Sequence, residues 1–131
     1  VDIITPNESE AGLILGWQPS TPEEGLSAAK ELRAQVVAVA VVKLGAKGLA
    51  VAGPEIEAII PAFRVDAIDT VAAGDSFNGG LAHALEQGQP LHLALRFAAA
   101  CGALSTTRKG ASAAAPLRQE VEGFLAAQPA A

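Results

Sequence analysis

Several things are scarce in this chain of 131 residues, and each scarcity closes off a class of protein. There is one cysteine, Cys101, so no disulfide framework can form within the chain. It sits in the run Phe97-Ala98-Ala99-Ala100-Cys101-Gly102-Ala103-Leu104 and reads as a small buried hydrophobe. Aromatics are only 4% of residues, while half of all residues are hydrophobic, so the core must be built from Val, Leu, Ile and Ala. Basic residues are outnumbered: the net charge is −5, which argues against a nucleic-acid partner. Phosphate binding stays open, because local donors and Mg²⁺ decide it and global charge does not. No run of about eighteen apolar residues is free of charge and turn signals, so no membrane span is expected. A cytoplasmic location follows by elimination. The first residue is Val1 rather than Met, and Val1 to Ile4 reads as a strand already under way, which suggests a piece of a longer chain.

The elements that are present alternate between strand and helix. Val1 to Ile4 is a short strand ending at the turn signal Thr5-Pro6-Asn7. Glu8 to Leu15 reads as a helix stopped by Gly16. Thr21 caps a second helix, with Pro22 at its first position and Glu24 three residues after the cap; it runs to about Ala34. Val36 to Val42 is a continuous β-branched run, expected to be a strand buried on both faces. Gly45 and Gly48 mark a turn into Leu49 to Ala52, and Gly53-Pro54 turns again into Ile56 to Ile60. Gly74 to Gln87 is a helix with Phe77, Leu81, Ala84 and Leu85 on one face, closed by Gly88. Leu91 to Leu104 is helical and apolar nearly all round. Thr106 to Ala115 is a loop, and Pro116 to Ala127 is a last amphipathic helix. This order implies an α/β layer architecture, one domain or part of one.

The chemistry concentrates in Asp69-Thr70-Val71-Ala72-Ala73-Gly74-Asp75-Ser76-Phe77-Asn78-Gly79-Gly80. Small residues run into a helix start, where bare N–H groups and the helix dipole attract phosphate oxygens. Asp75 on that first turn can take a proton from a hydroxyl about to attack phosphorus. Asp69 precedes the turn and can hold it or bind a cation. Asn7 and Glu10, at the end of a strand, stand where α/β sheets bind ligands; the plainer reading is an ordinary capped helix. Leu44-Gly45-Ala46-Lys47-Gly48 leaves a buried strand and lacks the Gly-Lys-[Ser/Thr] ending of a Walker loop. Thr107-Arg108-Lys109-Gly110-Ala111 is either a cation or phosphate loop or a solvated basic turn. Gly74-Asp75-Ser76-Phe77 mimics an esterase block, yet neither His83 nor His92 stands three after an Asp, and no Gly-x-Ser-x-Gly elbow exists. The two histidines have no metal spacing.

Together, in this order, these blocks resemble the ribokinase-like (phosphofructokinase B type) sugar kinase family. Thr5-Pro6-Asn7-Glu8-Ser9-Glu10 is similar to its Thr-Pro-Asn-x-x-Glu block, and Asp69 to Asp75 to its Asp-Thr-x-Gly-Ala-Gly-Asp signature. The resemblance implies the C-terminal, nucleotide-binding part of a three-layer α/β/α fold that uses ATP, Mg²⁺ and K⁺. It implies ATP-dependent phosphorylation of a sugar's primary hydroxyl, D-ribose to D-ribose 5-phosphate, with fructose or a nucleoside as other acceptors. Position by position, Asp75 becomes the base, and Ala72, Ala73 and Gly74 supply amides to the transferring phosphate. Asn7 meets the ATP phosphates, and Glu10 helps hold hydrated Mg²⁺. Lys43, Gly45, Gly48 and Ala99 neighbour the nucleotide; Lys43 stands where Thr is usual, and Ala99 where a polar side chain is common. Asp69, Val71, Ser105, Arg108 and Gly110 surround K⁺, with Ala114 where a hydroxyl would finish the shell. The family's N-terminal sugar-binding part, and the lid through which it forms a homodimer, have no counterpart in this sequence. A nucleotide-binding fragment without turnover is therefore the competing expectation.

Overall fold

The computed structural model describes residues 3–35, 37–65, 67, 73–107 and 118–128. They divide into two compact units, Val1–Ala62 and Phe63–Ala131.

The first unit is a mixed sheet with two helices. Its elements are β1 (Ile3–Ile4), α1 (Glu8–Leu15), α2 (Pro22–Gln35), β2 (Val39–Lys43), a short 3₁₀ turn (Gly45–Lys47), β3 (Leu49–Ala52) and β4 (Glu57–Ile60). The strands lie in the order β1-β2-β3-β4. β1 runs parallel to β2, a pairing that needs a long crossover, supplied here by α1 and α2, while β2, β3 and β4 form an antiparallel meander. On one face of the sheet Ala40, Val42 and Ala52 pack with Ala11, Ala28, Ala29, Leu32 and Leu44. The other face is buried too, at Val39, Val41, Leu49 and Val51. This is why β2 reads as an unbroken apolar run. Each fully buried Val or Leu here contributes about 1.5–3 kcal/mol of burial free energy.

Helix ends fall where capping chemistry puts them. Gly16 closes α1 in the left-handed region, at φ 82°, and its N–H donates to the Gly12 carbonyl. At the start of α2, the Glu24 N–H donates to Thr21 Oγ1 at 3.1 Å. The Glu24 carboxylate reaches past the cap to accept from the N–H and Oγ of Ser20, at 2.8 and 2.9 Å. The strand expected from Val36 begins only at Val39. The residues just before it are bonded back to the last turns of α2: the Val37 N–H donates to the Leu32 carbonyl, and the Ala38 carbonyl accepts from Arg33 Nε. Val36 itself lies outside the described residues.

The second unit is helical: α3 (Ala73–Glu86), α4 (Leu91–Ser105) and α5 (Arg118–Ala126). α3 and α4 approach closely because Gly80 faces Cys101; a Cβ there would lie 2.7 Å from Sγ and 3.3 Å from the Ala98 Cα. Ala100, Cys101 and Val121 form a core with Phe63, Phe97, Leu104, Phe124 and Leu125 around it. The Phe63 and Phe124 rings meet edge to face, 5.2 Å apart, with the Arg96 guanidinium 5.0 Å from the Phe63 ring centre. α4 is buried over most of its surface, as its apolar composition requires, with His92 and Leu93 exposed near its start. Leu85, expected on the buried face of α3, is half-buried, and Gly80 takes its place in the core. The last helix starts at Arg118; Pro116 lies outside the described residues. No helix among the described residues is long and apolar enough to cross a membrane.

Candidate active site

In the first unit the expected nucleotide-side residues gather at one end of the sheet. Asn7 and Lys43 form an isolated parallel bridge that extends the β1–β2 pairing, and the Lys43 N–H donates to the Pro6 carbonyl at 2.8 Å. The end of β2 is thereby tied to the start of α1. Asn7 and Glu10 form a reciprocal capping box. The Glu10 N–H donates to Asn7 Oδ1 at 2.8 Å, and the Asn7 N–H donates to Glu10 Oε1 at 2.9 Å. The plain capping role is thus real. It does not exhaust either side chain, because the box uses neither the Asn7 amide nitrogen nor the second Glu10 oxygen. Both side chains are exposed. A donor amide, a carboxylate oxygen and the α1 N-terminus therefore stand together at the strand ends, a suitable place for an anion and its cation.

The loop leaving β2 is built on two glycines with different reasons. Gly45 has φ 60° and open space where a Cβ would be. Gly48 has φ 98° and ψ −145°, a combination essentially reserved to glycine. Any Cβ at Gly48 would also collide with the Ile60 carbonyl oxygen at 2.2 Å and the Ala62 nitrogen at 2.9 Å. The Leu44 N–H donates to the Gly48 carbonyl at 2.8 Å, closing the loop.

In the second unit Ala73, Gly74 and Asp75 open α3. Asp75 is exposed and stands in the first turn, while Ala73 and Gly74 are half-buried. The carboxylate therefore faces solvent at the start of a helix, the part of a helix whose first N–H groups in general lack intrahelical partners. Gly102 of α4 sets the approach, since a Cβ there would lie 3.2 Å from the Ala73 carbonyl oxygen. Ser105, fully buried, donates its Oγ to the Gly102 carbonyl at 2.7 Å. Ala99 is half-buried on the same helix. Gly102 was not singled out in the sequence; the small-residue run Ala98 to Ala103 was its only signal, since such runs mark close backbone approach.

Asp69, Val71, Ala72, Arg108, Gly110 and Ala114 lie outside the described residues, as does the whole of the loop after Thr107, residues 108–117. Among the described residues no three His, Cys, Asp or Glu side chains gather into a metal cage. A single exposed carboxylate such as Glu10 still suits Mg²⁺, which keeps several waters and is bound by one or two carboxylates plus substrate phosphates. His83 lies exposed against the Phe97 ring, with centroids 6.0 Å apart. Cys101 is buried, and desolvation pushes its thiol from 9.0 up to about 11, so it is inert rather than nucleophilic.

A family model described as pfkB family carbohydrate kinase matches residues 1–118. A ribokinase from Haemophilus influenzae is 42% identical over 125 residues, covering 95% of this chain and 41% of the relative. The structure of Arabidopsis thaliana ribokinase complexed with ribose and ATP is 33% identical, with a TM-score of 0.81. The match covers 95% of this chain and 41% of that one. A double-mutant fructokinase from Vibrio cholerae, in its fructose, ADP and potassium ion bound form, is 37% identical with a TM-score of 0.77, at 95% and 41% coverage. The chain spans about two fifths of the length of the curated relatives it matches.

Proposed function

This chain belongs to the pfkB family of carbohydrate kinases, and on that premise we propose that the whole protein transfers the γ-phosphate of ATP to the primary hydroxyl of a sugar, D-ribose foremost. The observation that carries this reading is the opening of α3: an exposed carboxylate, Asp75, set beside half-buried Ala73 and Gly74. In phosphoryl transfer the protein's work is mostly positioning and charge stabilisation. Asp75 takes the proton from the sugar hydroxyl. The amides of Ala72, Ala73 and Gly74 hold the oxygens of the transferring group, worth more there than in bulk water because they need no reorganisation. Asn7, through its amide nitrogen, meets the ATP phosphates, and Lys43, Gly45, Gly48 and Ala99 border the nucleotide.

Glu10 would hold hydrated Mg²⁺, which supplies charge neutralisation between the phosphates. Asp69, Val71, Ser105, Arg108 and Gly110 would surround K⁺. The potassium-bound fructokinase among the relatives supports that assignment. The relatives bound to ribose and to fructose support the sugar class while leaving two acceptors in play. Ribose is favoured by the ribokinases among the curated relatives. The same reading makes the whole protein cytoplasmic and dimeric through the family's lid. It also makes this chain by itself a nucleotide-binding part without sugar turnover.

The test is product analysis with the full-length protein, ATP and Mg²⁺. D-Ribose 5-phosphate formed at a higher kcat/KM than fructose phosphate supports the assignment. Preference for fructose moves the protein to the second acceptor, and ATP binding without either product overturns the kinase reading.

A further inference from the structure

The Gly45–Gly48 loop is held from two sides. On one side Gly48 is pressed against the backbone leaving β4, where any Cβ would lie 2.2 Å from the Ile60 oxygen. On the other side Lys47 Nζ donates to the carbonyl of Ser20, 27 residues away in the connection between α1 and α2. That connection is itself well fixed. Pro19 is fully buried, Trp17 Nε1 donates to Glu31 at 2.8 Å, and the N–H and Oγ of Ser20 both donate to Glu24. The Glu24 carboxyl is held below its usual range, chiefly by the Ser20 bonds, with the Lys47 charge a smaller contributor. At the loop's entrance Leu44 packs into α2, where a Cβ at Gly25 would lie 2.7 Å from Leu44 Cδ1.

A lysine in a glycine loop beside a nucleotide invites the reading that it grips phosphate. Here its ammonium is turned to a main-chain carbonyl on a neighbouring, rigid segment. We infer that Lys47 is a positioning residue: it ties the loop after β2 to the α1–α2 connection in the shape that receives the nucleotide, and it does not itself bind phosphate. The inference rests on the nucleotide-side reading of this loop given above. A charged donor to a carbonyl makes a stronger link than a neutral one, yet the pair is exposed. Its loss should therefore loosen the loop without unfolding the unit.

The experiment compares Lys47→Met and Lys47→Arg in the full-length protein. Amide hydrogen exchange without nucleotide is followed at Lys47 and Gly48, whose N–H groups donate to Leu44 and Gly45. Steady-state kinetics are run in varied ATP. Lys47→Met is expected to speed exchange at both amides about three- to tenfold and to raise the KM for ATP by a similar factor. The kcat should stay within about twofold, and Lys47→Arg, which keeps a donor, should recover most of both effects. Unchanged exchange with a large fall in kcat would overturn the inference, because it describes a lysine acting on the phosphate itself. Faster exchange with an unchanged KM would overturn it differently: the strap would be real and the loop would not serve the nucleotide.

Discussion

Gly45 and Gly48 look alike in sequence, and the structure separates them by mechanism. Alanine at Gly45 meets no neighbour within 4 Å but must keep φ 60°. A left-handed backbone costs an L-residue about 1–2 kcal/mol. Part of that, about 0.4–1 kcal/mol, is returned because the unfolded chain becomes less flexible. The net loss at Gly45 is therefore about 1 kcal/mol. Alanine at Gly48 faces φ 98° and ψ −145°, where strain is about 1–3 kcal/mol. It also places a methyl 2.2 Å from the Ile60 oxygen, and overpacking adds about 1–3 kcal/mol more. After the same unfolded-state return, the loss is about 2–5 kcal/mol, a large share of the roughly 5–15 kcal/mol that holds a domain folded. Urea denaturation of the two variants, compared at equal slope, reads this directly. Gly48→Ala should lose at least twice what Gly45→Ala loses. Equal losses, or a Gly48→Ala variant as stable as the parent, would refute the claim that this loop is seated against the β4 exit.

Two further outcomes are expected. Asn7→Ser keeps an oxygen that caps α1 as well as Asn does but removes the amide donor, so denaturation midpoints should hardly move while calorimetric ATP affinity falls about three- to tenfold; parallel losses would mean that Asn7 only caps. Burial pushes the Cys101 thiol up from 9.0 to about 11. Folding therefore opposes its ionisation, and its stabilising contribution should be complete below pH 9 and lost progressively between pH 9 and about 11. Denaturation midpoints of the parent and Cys101→Ala across that range check the sign: a parent that gains stability relative to the variant as pH rises contradicts the buried thiol.

Much of the fold was legible because local chemistry and tertiary packing agree. Gly16 ends α1 where the helix was expected to stop, and Thr21 accepts the Glu24 N–H at the expected helix start. The apolar run through Val42 is a strand buried on both faces. Its start was misplaced because apolar periodicity does not reveal that Arg33 takes the Ala38 carbonyl out of the ladder. The Asn7 block carried two readings that the sequence set against each other, and the geometry makes them compatible, since the capping box uses only half of each side chain. The link from Lys47 to Ser20 was invisible because it joins residues 27 apart and depends on where the α1–α2 connection settles. Gly102 was hidden for a related reason: it reads as one small residue among several until the Ala73 carbonyl is seen beside it.

The central claim is that the first turn of α3 couples an anion cradle to a proton acceptor. Asp75→Asn in the full-length protein tests it, with kcat measured on ATP and D-ribose and nucleotide affinity by calorimetry. A general base is worth about 10²–10⁴ in rate, so kcat should fall by that factor with ATP affinity kept within about twofold. Undiminished turnover in Asp75→Asn would contradict the account.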